Sequence, residues 1–201
     1  TLDALRQPLE TGECMIARVN HRVTYPARIQ LVAAMNPCRC GMAGEPGYRC
    51  ARGERCRADY QARISGPLLD RIDLRIEVPA VSTSDLIRPG KAEKSAAVAE
   101  RVARARDIQR ERFGRLGVGG VTTNAHCPPA LIEAIAAPDA AGKALLSDAG
   151  DKFGFSARAY HRLLKVARTL ADLEASETVG RLHLAEAISY RMSAQRMAQA
   201  A

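Results

Sequence analysis

Ser156-Ala157-Arg158-Ala159-Tyr160-His161-Arg162-Leu163-Leu164-Lys165-Val166-Ala167-Arg168-Thr169-Leu170-Ala171-Asp172-Leu173 reads as one helix with two faces. Ser156 is a good N-cap, because its hydroxyl can take an amide of the first turn that has no partner within the helix. At about 100° per residue, Leu163, Val166, Ala167, Leu170 and Leu173 form one stripe. Arg158, Arg162 and Lys165 form the opposite one. Cations in the first turn oppose the helix dipole, which favours anions there. An anion arriving from elsewhere would explain them, with Arg158 and Arg162 as its candidate contacts; a solvated basic face is the ordinary alternative.

Helical spacing continues on both sides of this segment. Residues 91–113 form a long basic pattern with Val98, Val102, Ala105 and Ile108 on one face, and residues 128–137, 140–149, 156–175 and 182–197 also read as helices. The first eighty residues differ. Residues 1–10 are helix-like and stop at Gly12. Residues 14–19 and 22–26 are strand-like and meet through Asn20-His21, which predicts a hairpin. Residues 29–34 are a continuous apolar run of buried-strand type, closed by Asn36-Pro37. Residues 72–78 alternate apolar and charged side chains and end at Pro79, which predicts a strand with one buried face. The expected architecture is a partial α/β core over 1–80, with few strands and a hairpin. An all-α helical domain over 81–201 follows, so the chain is mostly helical overall.

Net charge is +8, and 30 of 201 residues are Lys or Arg. That balance favours polyanions, whether nucleic acid or nucleotide phosphates, but a basic surface alone does not choose between them. Aromatic residues make up 4% and Trp is absent, which argues against single-strand binding by base stacking as the main mode. No apolar run approaches the roughly 20 residues of a membrane span, and no secretory pattern opens the chain. The expectation is a cytoplasmic protein with no membrane partner. The absent initiator Met suggests a piece of something longer.

Four of the six cysteines, Cys38, Cys40, Cys50 and Cys56, fall in a Gly-, Pro- and Arg-rich stretch too poor in apolar residues to supply its own core. Without a secretory signal, such clustering reads as metal binding before disulfides. Four thiolates can close a tetrahedral Zn2+ site; reduced, metal-free thiols are the alternative. Cys14 and Cys127 read as ordinary buried or loop thiols, His161 and His183 as helix-face or packing residues, and His126 beside Cys127 as a weak spare ligand.

No G-x-x-x-x-G-K-[ST] loop is present: Gly90-Lys91 and Gly142-Lys143 are each followed by Ala. Two other features suit phosphate chemistry. Asn36 stands at the C-terminal end of the apolar run, the edge of an α/β sheet where ligands sit. An amide there can orient a water without titrating, although Asn before Pro is also an ordinary turn. In Arg63-Ile64-Ser65-Gly66-Pro67-Leu68-Leu69-Asp70-Arg71-Ile72-Asp73-Leu74, Arg71 lies between two carboxylates at the entry to a strand. It is placed to reach out of the domain, where a guanidinium stabilises charge on transferring phosphoryl oxygens. A local Arg–Asp surface pair is the plain alternative.

Six blocks in order carry a resemblance: Leu2 to Glu10, Asn20 to Ala27, Ala33 to Cys38, Ser65 to Leu74, the Arg158 helix and His183-Leu184-Ala185-Glu186-Ala187. Together they resemble the magnesium-chelatase-like AAA+ ATPases, most closely the ComM/YifB branch. The resemblance implies that Asn36 is sensor 1, Arg71 the arginine finger and Arg158 the sensor 2 arginine of a helical lid. It implies that residues 14–26 are the hairpin before sensor 1, with Arg18, His21 and Arg22 at a DNA-binding tip. The Walker A and B segments would lie upstream of Thr1. It further implies ATP with Mg2+, a ring hexamer, and DNA remodelling of the helicase or branch-migration kind seen in natural transformation. The second cysteine pair is wider than the family's commoner spacing. The ATPase subunit of a metal-chelatase-like complex, or a non-catalytic zinc-stapled nucleic-acid-binding module, are the competing readings.

Overall fold

The computed structural model describes residues 2–41, 50, 52–53, 55–79, 81, 83–87 and 92–199, with backbone alone at 85 and 193–199. Most of the Gly/Pro-rich stretch between Cys40 and Cys50, and Gly90-Lys91, lie outside them. The chain divides into two compact units, Thr1–Ile72 with Gln195–Ala201, and Asp73–Ala194. Most of the described chain is helical, and its one sheet is a two-stranded antiparallel hairpin.

The first unit opens with a 3₁₀ turn, Leu2–Leu5, running into α1 (Arg6–Thr11). Gly12 ends α1 in the left-handed region at φ 70°, where its N–H donates to Pro8 O at 2.9 Å. This is the glycine C-cap that stops a helix without a Cβ penalty. Strands β1 (Glu13–Arg18) and β2 (His21–Pro26) follow, in a register that pairs Glu13 with Pro26 and Arg18 with His21. The two-residue turn is therefore Val19-Asn20, one position earlier than the Asn20-His21 turn expected from sequence. Val19 takes φ 30°, a strained conformation for a β-branched side chain. Short helices α2 (Arg55–Gln61) and α3 (Gly66–Leu69) complete the unit. Ser65 caps α3, its hydroxyl accepting from Leu68 N–H at 3.3 Å.

Neither residues 29–34 nor residues 72–78 form a strand, and most of them are exposed. A run of β-type side chains becomes a strand only when a neighbour takes its backbone hydrogen bonds, and no such neighbour exists among the described residues.

In the second unit, α4 (Thr83–Ile87) precedes the long α5 (Ser95–Arg115), then α6 (Pro129–Ile135), α7 (Ala140–Phe153), α8 (Ala157–Leu173) and α9 (Arg181–Gln199), of which the residues from Gln195 on are assigned to the first unit. Helix α8 packs against α5 and α6. The core gathers around Phe113, Ile132, Leu163, Leu164, Ala167 and Leu184. The termini follow from local chemistry. Asp139 accepts from Gly142 N–H at 2.6 Å to start α7, Gly154 ends it at φ 61°, and Ser156 accepts from Ala159 N–H at 3.1 Å to start α8.

A charged network lies inside this apolar packing. Asp172 is fully buried, accepts from Arg168 Nε at 3.1 Å and Asn124 Nδ2 at 2.8 Å, and is bidentate to Arg112. Arg168 also donates to the carbonyls of Glu177 (2.8 Å) and Ser176 (2.5 Å). Burial pulls Arg168 below its ordinary pKa, while Asp172 opposes that shift. The network joins α5, α8 and the turn after α8 through groups whose bonding is satisfied, the condition under which buried charge is tolerated.

Candidate functional site

In the second unit the cationic stripe of α8 resolves into three environments. Arg158 is exposed in the first turn, immediately after the Ser156 cap. Beside it an open cleft of about 580 Å³ is lined by Lys143, Leu146, Phe155, Ala157 and Tyr160 among others. Arg162 donates to Asp73 Oδ1 at 2.6 Å, with its side chain 16% exposed. Lys165 donates to Ala125 O at 2.8 Å, and burial lowers its pKa. The head of α8 thus presents Arg158 next to an apolar-walled cleft, while Arg162 and Lys165 are committed to partners within the unit.

In the first unit Asn36 is exposed at the end of its extended run. A Cβ on Gly41 would come within 3.7 Å of its Nδ2, so the turn at Gly41 (φ 84°) folds back beside the amide. Arg71 is docked on its own unit rather than reaching outward. Its side chain is 11% exposed; it meets Glu10 Oε2 at 2.8 Å and donates to the carbonyls of Arg6 (3.1 Å) and Pro67 (2.6 Å). Glu10 escaped the sequence reading because its pairing with Arg71 spans most of the unit. Of the two carboxylates expected beside Arg71, Asp70 and Asp73, the second is the partner of Arg162.

The hairpin tip is open on both sides. Arg18 and His21 are the last cross-strand pair, and Arg22 faces Ala17. Strand alternation therefore puts Arg18 and His21 on one face and Arg22 on the other. All three are exposed, as are Met15, Ile16, Val23 and Tyr25 along the strands.

The four clustered cysteines converge. Their Sγ atoms all lie within 4.8 Å of one another, with Cys38–Cys40 at 2.9 Å and Cys40–Cys50 at 3.2 Å. Two turns bring them together: Gly41 N–H donates to Cys38 O at 3.0 Å and Gly53 N–H to Cys50 O at 2.9 Å, both glycines at positive φ. Cys56 arrives on α2, and Gln61 of that helix donates to Pro37 O at 3.2 Å. A tetrahedral zinc with Zn–S bonds of about 2.3 Å would hold its sulfurs about 3.8 Å apart, within reach of this arrangement by small side-chain shifts. The Cys50 thiol is lowered by the Arg52 backbone N–H, then by Cys40. The cluster is therefore compatible with a metal in donor type, number and spacing. Cys127, by contrast, is buried in the second unit's core, where burial raises its pKa. His183 pairs with Glu174 at 2.9 Å and His161 with Glu133 at 2.8 Å.

Comparison with known proteins gives the class to which these features belong. Residues 1–86 match the family described as magnesium chelatase, subunit ChlI, and residues 92–191 match its companion, magnesium chelatase, subunit ChlI C-terminal. The chain belongs to this magnesium-chelatase-like family. Among relatives, it is 44% identical over 191 residues to competence protein ComM of Haemophilus influenzae, covering 94% of this chain and 36% of that one. It is 41% identical over 194 residues to the uncharacterised protein YifB of Escherichia coli, covering 95% and 36%. The chain spans about a third of the length of these curated relatives. No helix among the described residues is long and apolar enough to cross a membrane.

Proposed function

We propose that this chain is the C-terminal part of an AAA+ ATPase that couples ATP hydrolysis to DNA remodelling of the helicase or branch-migration kind. The observation that carries the proposal is the exposed hairpin with Arg18, His21 and Arg22 at its tip, in a chain that also presents Arg158 at the open head of α8. Likeness to a competence protein supports DNA as the polyanion.

In this reading, ATP with Mg2+ is held by residues outside this chain, and Mg2+ would screen the phosphate oxygens. Asn36 orients the attacking water through an amide that both donates and accepts. Arg158 meets the phosphates from the lid, and the cleft beside it receives the less polar part of the nucleotide. Arg162 supports Arg158 from one turn further along α8 while held by Asp73. Arg71 leaves Glu10 and enters the site of a neighbouring copy in a ring hexamer, where it stabilises charge on the transferring phosphoryl group. Zn2+ on Cys38, Cys40, Cys50 and Cys56 would supply structural cross-linking where the first unit has little core.

The test is ATP hydrolysis by the intact protein with and without single-stranded and branched DNA. Stimulation by DNA that disappears in R18A/R22A supports the reading. The family description itself favours one other function, the ATPase subunit of a metal-chelatase-like complex. Hydrolysis indifferent to DNA, together with affinity for a chelatase partner, would replace the DNA reading with that one.

A further inference from the structure

The first unit holds a concentration of positive charge that none of these roles uses. Between Cys38 and Arg63 the sequence has six arginines (Arg39, Arg49, Arg52, Arg55, Arg57 and Arg63) against three carboxylates (Glu45, Glu54 and Asp59). Three of these arginines, Arg39, Arg52 and Arg63, line one cavity of about 340 Å³, together with Tyr60, Cys56 and Asp59.

The cysteine cluster builds this cavity. Arg39 stands between Cys38 and Cys40, in the turn that Gly41 closes. Arg52 stands two residues after Cys50, in the turn that Gly53 closes. Tyr60 and Arg63 follow Cys56 at spacings of four and seven, which puts them on the helix face that Cys56 turns toward the other thiols. Arg63 continues that face beyond α2, its N–H donating to Tyr60 O at 3.4 Å. Two glycine turns and the end of α2 thus bring guanidinium groups from three separate segments to one concave place.

Arg39, Arg52 and Arg63 are exposed, and Asp59 is the single carboxylate among the described residues that line the cavity. Gathering like charges costs energy unless an anion arrives. Planar guanidinium forks match phosphate oxygens better than any other side chain does. Half-buried Tyr60 offers a ring edge or face at the same wall, the second component of a nucleic-acid strand contact.

We propose that this cleft binds the phosphodiester backbone of a nucleic-acid strand, with Arg39, Arg52 and Arg63 on phosphate and Tyr60 against the adjoining sugar or base. It rests on the DNA-remodelling reading and adds to it a contact distinct from the hairpin tip.

The test uses the intact protein with a fluorescein-labelled single strand of about 30 nucleotides, titrated between about 50 and 250 mM salt, where phosphate contacts declare themselves in the slope. R39Q/R52Q/R63Q should bind at least roughly tenfold more weakly and flatten the log–log salt slope by about 2, as for three lost phosphate contacts on a single strand. Metal content, melting temperature and DNA-free ATP turnover should match the unmodified protein. Tyr60→Leu should weaken binding and leave the slope unchanged. If the unmodified protein binds and the triple variant binds equally well with the same slope, the inference fails while the DNA reading stands. If the unmodified protein binds a branched duplex but not this strand, the inference fails while the DNA reading stands; if it binds neither at any salt, both fail. If the triple variant loses metal or melts lower, the arginines serve the cysteine centre and the cleft is not a strand-binding site.

Discussion

At the scale of single residues, Arg71 holds two possibilities in one geometry. As a structural clip it fastens α1 to the turn after α3 through Glu10, Arg6 O and Pro67 O. As a finger it must leave that dock for a neighbour's phosphate. Arg71→Ala in the intact protein should lower ATP turnover about 10³-fold while leaving ATP binding in place, since a trans-acting guanidinium acts on the transition state. Glu10→Gln removes the charged partner of the dock and keeps the finger, so it should not lower turnover. Steady-state hydrolysis with nucleotide affinity measured alongside decides the matter: equal losses in the two variants would leave Arg71 with the clip alone. Asp172 is a contrasting case. Its side chain is fully buried beside an Arg168 only 1% exposed, so Asp172→Ala strands a guanidinium in the core. A urea melt should show a loss of about 3–5 kcal/mol.

At the scale of elements, the helices of the second unit were legible because each announces itself locally. Leu163 and Ala167 are buried on the face of α8 that spacing assigned, and Ser156 caps it as expected. The inner face is wider than the apolar pattern, though, and includes Arg168 and Asp172, which no hydrophobicity argument would bury. Their burial depends on Arg112 and Asn124, partners brought close only by the packing of α5 and the following turn. Strands were less legible for the same reason. The hairpin forms because its partner is next in sequence, whereas residues 29–34 and 72–78 need partners the described residues lack. Arg158 was legible as a cation in a first turn; the convergence of Arg39, Arg52 and Arg63 was not, because it depends on how two glycine turns set the cysteines. A prediction for α7 also belongs here. Gly142 lies in its first turn, where an added Cβ would sit 2.7 Å from Leu184 Cδ1 and 3.0 Å from Pro138 Cβ. Gly142→Ala should cost about 1–3 kcal/mol through overpacking, despite alanine's better helix propensity, and a thermal melt should show the loss.

At the scale of the whole molecule, the two units differ in what holds them. The described core cluster lies within the second unit, and its buried charges are paired. The first unit buries Cys38, Cys56 and Leu68 and leaves Ile16, Val23, Ile29 and Val32 exposed. Two of the three buried hydrophobic positions among its described residues are therefore members of the cysteine cluster, so a metal there would organise most of the core described in the unit. Protein purified without chelator should carry about one zinc per chain. Hydrogen exchange then separates the units without requiring either to unfold cooperatively with the other. On adding a strong chelator, amides of Arg55–Gln61 and Gly66–Leu69 should lose protection, because their helices are too short to persist without tertiary support. Amides in Ser95–Arg115 and Ala157–Leu173 should keep theirs, because their protection comes from a core that contains none of the four clustered cysteines. Protection lost in both units together would mean that the metal supports the second unit as well. Protection lost in neither would mean that the four thiols converge without a structural metal, leaving the first unit to be held by contacts with the rest of the intact protein.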